Sequence, residues 1–132
     1  MPEVNWIAVA LCDVASLVLG AIWYSPMLFA KHWQAAAGLS DERAQSGNMA
    51  MIFGGAFVLS LIAAAVFAMF LGTEMSLGAA TAAGFSADLC WVAASYGISY
   101  LFERRPLSLW LINGGYHTLQ FTLYGLIIGY LK

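Results

Sequence analysis

Asp13, Asp88 and His117 are ionisable residues placed in the interiors of long apolar stretches. An ionisable side chain at the centre of a bilayer costs about 3 kcal/mol or more unless it is paired or wetted, which makes it a functional candidate by default. A carboxylic acid held beside an imidazole, away from water, can exchange a proton near neutral pH. That is the chemistry of a proton relay or a proton-coupled carrier.

Polar neighbours extend the pattern. Asn113, His117, Gln120 and Tyr124 follow i, i+4, i+7, i+11 spacing, which is one face of a helix. Thr81, Asp88, Ser95 and Ser99 nearly repeat it, Asp13 and Ser16 share a face with Gly20 and have Cys12 beside them, and Ser60 marks the centre of another stretch. Pointed inward, these stripes gather Asp13, Asp88, His117, Gln120, Asn113 and Ser60 into one candidate intramembrane site, with Asp88 or Asp13 pairing His117. The same residues also admit a structural reading. Buried polar groups hold membrane helices together through hydrogen bonds of about 0.6 kcal/mol each.

Other chemistries find less support. Cys12, Asp13, Asp88, Cys90 and His117 offer mixed metal ligands, but no C-x-x-C or H-x-x-x-H spacing accompanies them, so no metal is expected. Cys12 and Cys90 read as small apolar fillers. No nucleophile motif, phosphate loop or dinucleotide fingerprint is present. The chain is therefore expected to be neither an enzyme nor the holder of a cofactor.

The elements that position these residues follow from composition. Of 132 residues, 62% are hydrophobic and 9% are charged, against about 25% charged in a soluble domain. Mean hydropathy is +0.80. Such a chain cannot cover a globular surface with solvated side chains, and its formal charge of −2 provides no footprint for nucleic acid. A membrane span needs about 20 mostly apolar residues. Four stretches qualify, at residues 4–24, 48–71, 77–102 and 107–131. The expected fold is a single all-α integral membrane domain, a bundle of four transmembrane helices. The first stretch is expected to be retained rather than cleaved, because only Glu3 precedes it as a charge and Asp13 interrupts it.

Pro26 should end the first helix, having no N–H and a ring that clashes with continuation. Residues 27–37 then place Leu28, Phe29, Trp33 and Ala36 on one face and Lys31 and Gln34 on another, a short interfacial helix between spans one and two. Gly38 should stop it, and Ser40 should cap a further turn bearing Asp41 and Glu42. Asn5, Trp6, Trp23, Tyr24, Trp110 and Tyr130 read as interface anchors.

Small residues recur every four positions: Ala56, Ser60, Ala64, Ala68 and Gly72, then Ala79, Ala83 and Ala87, then Gly125 and Gly129. Such stripes let helix backbones approach closely in lipid. With the small chain size, they lead us to expect a homo-oligomer, a parallel dimer or higher. Lys31, Arg43, Arg104 and Arg105 all lie in the first and third connections, and only Lys132 on the opposite side. Cytoplasmic loops hold the excess of Lys and Arg, so both termini are expected outside.

Several segments resemble a known family. They are Val4-Asn5-Trp6-Ile7, Gly20-Ala21-Ile22-Trp23-Tyr24-Ser25-Pro26 with Leu28-Phe29 and Trp33, Gly38-Leu39-Ser40, Phe102-Glu103-Arg104-Arg105-Pro106, and Ile112-Asn113 with Gly115-Tyr116. The chain resembles the bacterial domain-of-unknown-function family 1761 over essentially its whole length. The resemblance implies a small four-span protein of the bacterial inner membrane. It transfers no activity and no catalytic residue. From the residues alone, the function expected is a proton-linked transporter or channel subunit moving a proton or small molecule. The alternative is a non-transporting bundle partner or assembly protein with a structural polar core.

Overall fold

Asn5 starts the first helix. Its Oδ1 accepts from the N–H groups of Ile7 and Ala8 at 3.1 and 3.2 Å, satisfying donors that have no partner within the helix. The structure, a computed structural model, describes residues 3–40, 42–43 and 47–131. These are all helix, turn and loop, with no strand among them. Helix α1 runs Trp6–Trp23, α2 Ala30–Ala37, α3 Met49–Leu71, α4 Leu77–Ala87, α5 Ala93–Phe102 and α6 Leu107–Leu131. A π turn, Asp88–Val92, joins α4 to α5 without a break. Asn48 and Ser76 cap α3 and α4 as Asn5 caps α1.

Between α1 and α2 the chain folds back on itself, with Phe29 N–H donating to Trp23 O at 3.1 Å and Ala30 N–H to Ser25 O at 3.1 Å. Helix α2 thus begins at Ala30 and not at residue 27. Gly38 ends it at φ +73°, where a side chain is disfavoured. Ser40 Oγ accepts from Arg43 N–H at 3.2 Å. Asp41, expected in that turn, lies outside the described residues, as does Lys132.

Three helices are long and apolar enough to cross a membrane: Trp6–Trp23, Met49–Leu71 and Leu77–Phe102. The expectation of four is corrected on this point. Helix α6 has 25 residues, ample length, but Asn113, His117, Thr118, Gln120 and Thr122 make it too polar to qualify. The physical reason lies in its neighbours: α6 packs against α1, α2, α4, α5 and the π turn. A helix shielded by protein can carry polar groups that a lipid-facing one cannot.

The closest approach is between α4 and α6. A Cβ built on Gly84 would stand 2.0 Å from Phe121 O, and one on Gly125 2.1 Å from Ala80 O. Backbone therefore lies on backbone. Of the expected stripes, Gly125 and Gly129 are buried, whereas Ala79 is exposed and Ala80 and Gly84 take the buried positions. In α3 only Ala64, Phe67, Ala68 and Leu71 are buried, and residues 49–59 are exposed throughout, Ala56 included.

The π turn corrects a register. Ala93 N–H donates to Asp88 O, five residues back, so one extra residue enters the helix and turns everything after it by about 100°. Buried positions step Ala80, Gly84, Asp88, Ala93. Ser95 and Ser99, expected inward, are exposed, and Tyr96 and Tyr100 turn partly inward in their place.

Two contacts define the ends. Arg105 Nη1 donates to Ala37 O at 3.3 Å, tying the Phe102–Leu107 connection to the end of α2. At the opposite end Asn5 Nδ2 donates to Leu131 O at 2.6 Å.

Candidate functional site

Asp13 sits on the inward face of α1 with Ala8, Val9, Cys12 and Ser16. It is 1% exposed, and neither carboxyl oxygen meets a hydrogen-bond partner. Ser16 Oγ is directed to the backbone, donating to Asp13 O at 2.9 Å. Asp88, at the first position of the π turn, is 0% exposed. Its Oδ1 accepts from Thr118 Oγ1 at 3.3 Å, while its Oδ2 is without a partner. The Thr118 hydroxyl has a single proton and stands closer to Gly114 O, at 2.8 Å. Asp88 is thus barely held.

Gln120 presents the opposite case. Its Nε2 donates to Tyr124 Oη at 2.9 Å and to Ser60 Oγ at 3.3 Å, and its Oε1 meets His117 Nδ1 at 2.7 Å. An amide oxygen only accepts, so Nδ1 carries the ring proton in this pair, and Nε2 is the nitrogen left to take up a second. Tyr124 Oη passes the network on, donating to Ser60 O at 3.3 Å. Three of the six expected residues, Ser60, His117 and Gln120, therefore meet directly. The expected pairing of His117 with a carboxylate does not occur. Its partner is Gln120, and the ion pair seen among the described residues is Arg105 with Glu103, at 3.4 Å.

Asn113 belongs to a second group. Tyr24 Oη donates to its Oδ1 at 2.6 Å, and its Nδ2 donates to Tyr100 Oη at 2.9 Å. Tyr116 packs over Gly20 and donates to Ser16 O at 2.8 Å. Rings continue the group: Tyr24 with Tyr116, Tyr116 with His117, His117 with Tyr96, and Tyr96 with Tyr100. Trp33 of α2 meets Tyr24 edge-on at 5.6 Å.

Sequence reasoning missed most of this second group. Tyr24, Trp23 and Trp110 read as interface anchors, yet Trp23 Nε1 donates to Ile112 O and Trp110 Nε1 to Ala93 O, at 2.9 and 2.7 Å. Trp6 and Tyr130 remain outward, at 60% and 76% exposure. Tyr96 and Tyr100 stand i, i+4 in a helix whose register the π turn shifts by one residue. The signal was there in the pair itself. Cys12 is buried against Tyr124 O and Cys90 is exposed, so only the first acts as a filler. Among the described residues, no three of His, Cys, Asp and Glu converge as metal ligands would.

The chain belongs to the family described as "Protein of unknown function (DUF1761)", whose model matches residues 7–129. No curated protein and no solved structure matches it.

Proposed function

We propose that this family member is a membrane-embedded, proton-linked transporter or channel subunit, with Asp13, Asp88 and His117 as its titrating groups. The observation that carries the reading is the pair of buried carboxyl groups with three unpartnered oxygens, Asp13 Oδ1, Asp13 Oδ2 and Asp88 Oδ2. A polar group retained for structure is normally hydrogen-bonded, because an unsatisfied one costs about 1–3 kcal/mol. Two acids buried without that return are better explained by taking up and releasing protons or holding a cation.

In this reading α6 is the fourth span. Its polar face is turned to α1, α3 and the Leu77–Phe102 helix, so it needs less apolarity than they do. Lys31, Arg43, Arg104 and Arg105 then face the cytoplasm, with both termini outside a bacterial inner membrane. The exposed apolar half of α3 meets lipid or a second copy in a homo-oligomer. Gln120, Ser60 and Tyr124 favour a second reading for themselves alone: their groups bond one another, as a structural network requires.

The test is proton flux into dye-loaded liposomes, comparing wild type with Asp13→Asn and Asp88→Asn. Flux in wild type, lost in variants that still elute as folded protein, supports the reading. Flux unchanged in both variants removes it, and an unfolded Asp variant with no wild-type flux moves the whole cluster to the structural role.

A further inference from the structure

Two cavities follow one another along the groove between α5 and α6. The first, of about 300 Å³, is lined by Gly97, Tyr100, Leu101, Leu107 and Trp110, with Arg105 in its wall. The second, of about 330 Å³, continues past Trp110 along Leu89, Ala93, Leu111, Gly114 and Leu119. Trp110 borders both. Its Nε1 donates to Ala93 O at 2.7 Å, and its ring lies against Gly97 and Gly114, where any other residue would bring a side chain onto it. From Leu107 to Leu119 the groove runs about 18 Å at 1.5 Å per residue. One leaflet of a bilayer core is about 15 Å deep. The groove therefore has the length of one acyl layer.

Its charge is at one end. Arg105 is the charged residue among those lining the two cavities, and its guanidinium is loosely held. Nε stands 3.4 Å from Glu103 Oε1 and Nη1 3.3 Å from Ala37 O, against about 2.7–2.9 Å for a well-made charge-assisted bond. The side chain is 43% exposed. Arg104 differs: it donates to Phe102 O at 2.8 Å and lines neither cavity. Leu101 and Leu107, in the wall beside Arg105, are exposed at 77% and 70%, so the groove opens outward. Basic pockets between membrane helices at the cytoplasmic side take anionic lipid head groups, and a guanidinium matches a phosphate through two parallel bonds. A small soluble anion would use the arginine and leave the apolar groove uncovered. A zwitterionic lipid would cover the groove but bring a cation of its own toward Arg105.

We infer that the α5–α6 groove binds an anionic phospholipid. Its phosphate sits on Arg105 in place of Glu103, and one acyl chain lies over Leu101 and Leu107 and along Trp110. The inference rests on the membrane placement proposed above and is independent of the proton chemistry.

The test is titration of the detergent-purified full chain with phosphatidylglycerol or phosphatidylcholine of the same acyl chains, read by native mass spectrometry. Phosphatidylglycerol should bind saturably and about tenfold tighter than phosphatidylcholine, the ratio one charge-assisted contact gives. Glycerol phosphate, the head without the tails, should not displace it. Arg105→Gln should remove the preference, Arg104→Gln should keep affinity within about threefold, and Glu103→Gln should raise it, because a competing carboxylate is gone. Leu101→Trp, at an exposed position, should fill the groove and weaken both lipids about tenfold. Equal binding of the two lipids, equal losses in Arg104→Gln and Arg105→Gln, displacement by glycerol phosphate, or folded wild type without saturable lipid would each overturn the site. The comparison of lipids needs no variant, so it decides even where Arg105→Gln fails to fold. Proton flux in a protein with no lipid preference overturns the groove and leaves the relay standing. Lipid preference without flux keeps the groove and removes the relay.

Discussion

Along α6 two regions solve the problem of burying a polar helix in different ways. From Phe121 to Gly129 the helix lies backbone on backbone against α4, with Gly84, Gly125 and Ala80 at the crossing. From Asn113 to Gln120 it is held by side chains reaching across from the residue that ends α1, from α3 and from α5: Tyr24, Ser60 and Tyr100. At Gly84 and Gly125 the first region leaves no room for a side chain. The second is bridged by side chains and rings in contact, and leaves Asp88 Oδ2 without a partner beside Thr118. A close-packed seam fixes where helices stand and can do little else. A region spanned by side chains has groups that can move, and the proposed proton transfer draws on that region.

The difference can be broken most severely at the seam. Gly125→Ala places a methyl group 2.1 Å from Ala80 O, where backbone and not a flexible tip must yield. We expect a loss of about 3 kcal/mol or more, the upper range for overpacking, read as a lower midpoint in a mixed-micelle SDS titration. Gly84→Ala should behave alike. Gly78→Ala, whose added methyl meets nothing within 4 Å, should fall within about 0.5 kcal/mol of wild type or above it. Equal effects at Gly125 and Gly78 would show that the helices are not in contact there.

In the side-chain region the largest loss should come from Gln120→Leu. It removes bonds to His117, Tyr124 and Ser60 at once, so that His117 Nδ1 and Ser60 Oγ lose these contacts while Tyr124 Oη keeps Ser60 O. About 1–3 kcal/mol is expected, the cost of stranding buried polar groups. Asp13→Leu should contrast with it. Its carboxyl oxygens have no partner to strand, so stability should hold or rise by about 1 kcal/mol, because an isolated buried polar group costs more than it returns. Proton flux should vanish in the same variant. A large loss of stability in Asp13→Leu would mean that the carboxyl group is structural after all, and the contrast between the two residues would collapse.

How much of this was legible in the sequence depended on whether the relevant period was regular. Helix spacing on α6 gave Asn113, His117, Gln120 and Tyr124 as one face, and all four do face inward to some degree. Gly125 and Gly129 were readable because small residues at i, i+4 have a packing reason. The polar character of α6 was readable too, but its consequence was not: only a view of its neighbours explains why a helix this polar can sit among three apolar ones. The side-chain partners of His117 were open to several choices. Sequence spacing places a residue on a face, and it cannot choose between a carboxylate on one helix and Gln120 three residues further along its own.

The smallest effect tests the point where periodicity failed. A π turn adds one residue without any proline or glycine to announce it, since Asp88-Leu89-Cys90-Trp91-Val92 reads as ordinary helix. In an unbroken α-helix Ser95 and Ser99 would fall on the face of Asp88, seven and eleven residues on. With the extra residue Ala93 falls there and both serines turn outward. In a cysteine-free background that keeps Asp88, Ser95→Cys and Ser99→Cys should react readily with a small thiol reagent in detergent, and Ala93→Cys should react only after unfolding. The two serine substitutions should alter stability by less than about 1 kcal/mol, and Ala93→Cys by more, because Ala93 is buried. Protection at Ser95 with reactivity at Ala93 would restore the regular helix. It would also turn Tyr96 and Tyr100 away from α6, and the ring contact of Tyr96 with His117 and the bond of Tyr100 to Asn113 would be lost with them.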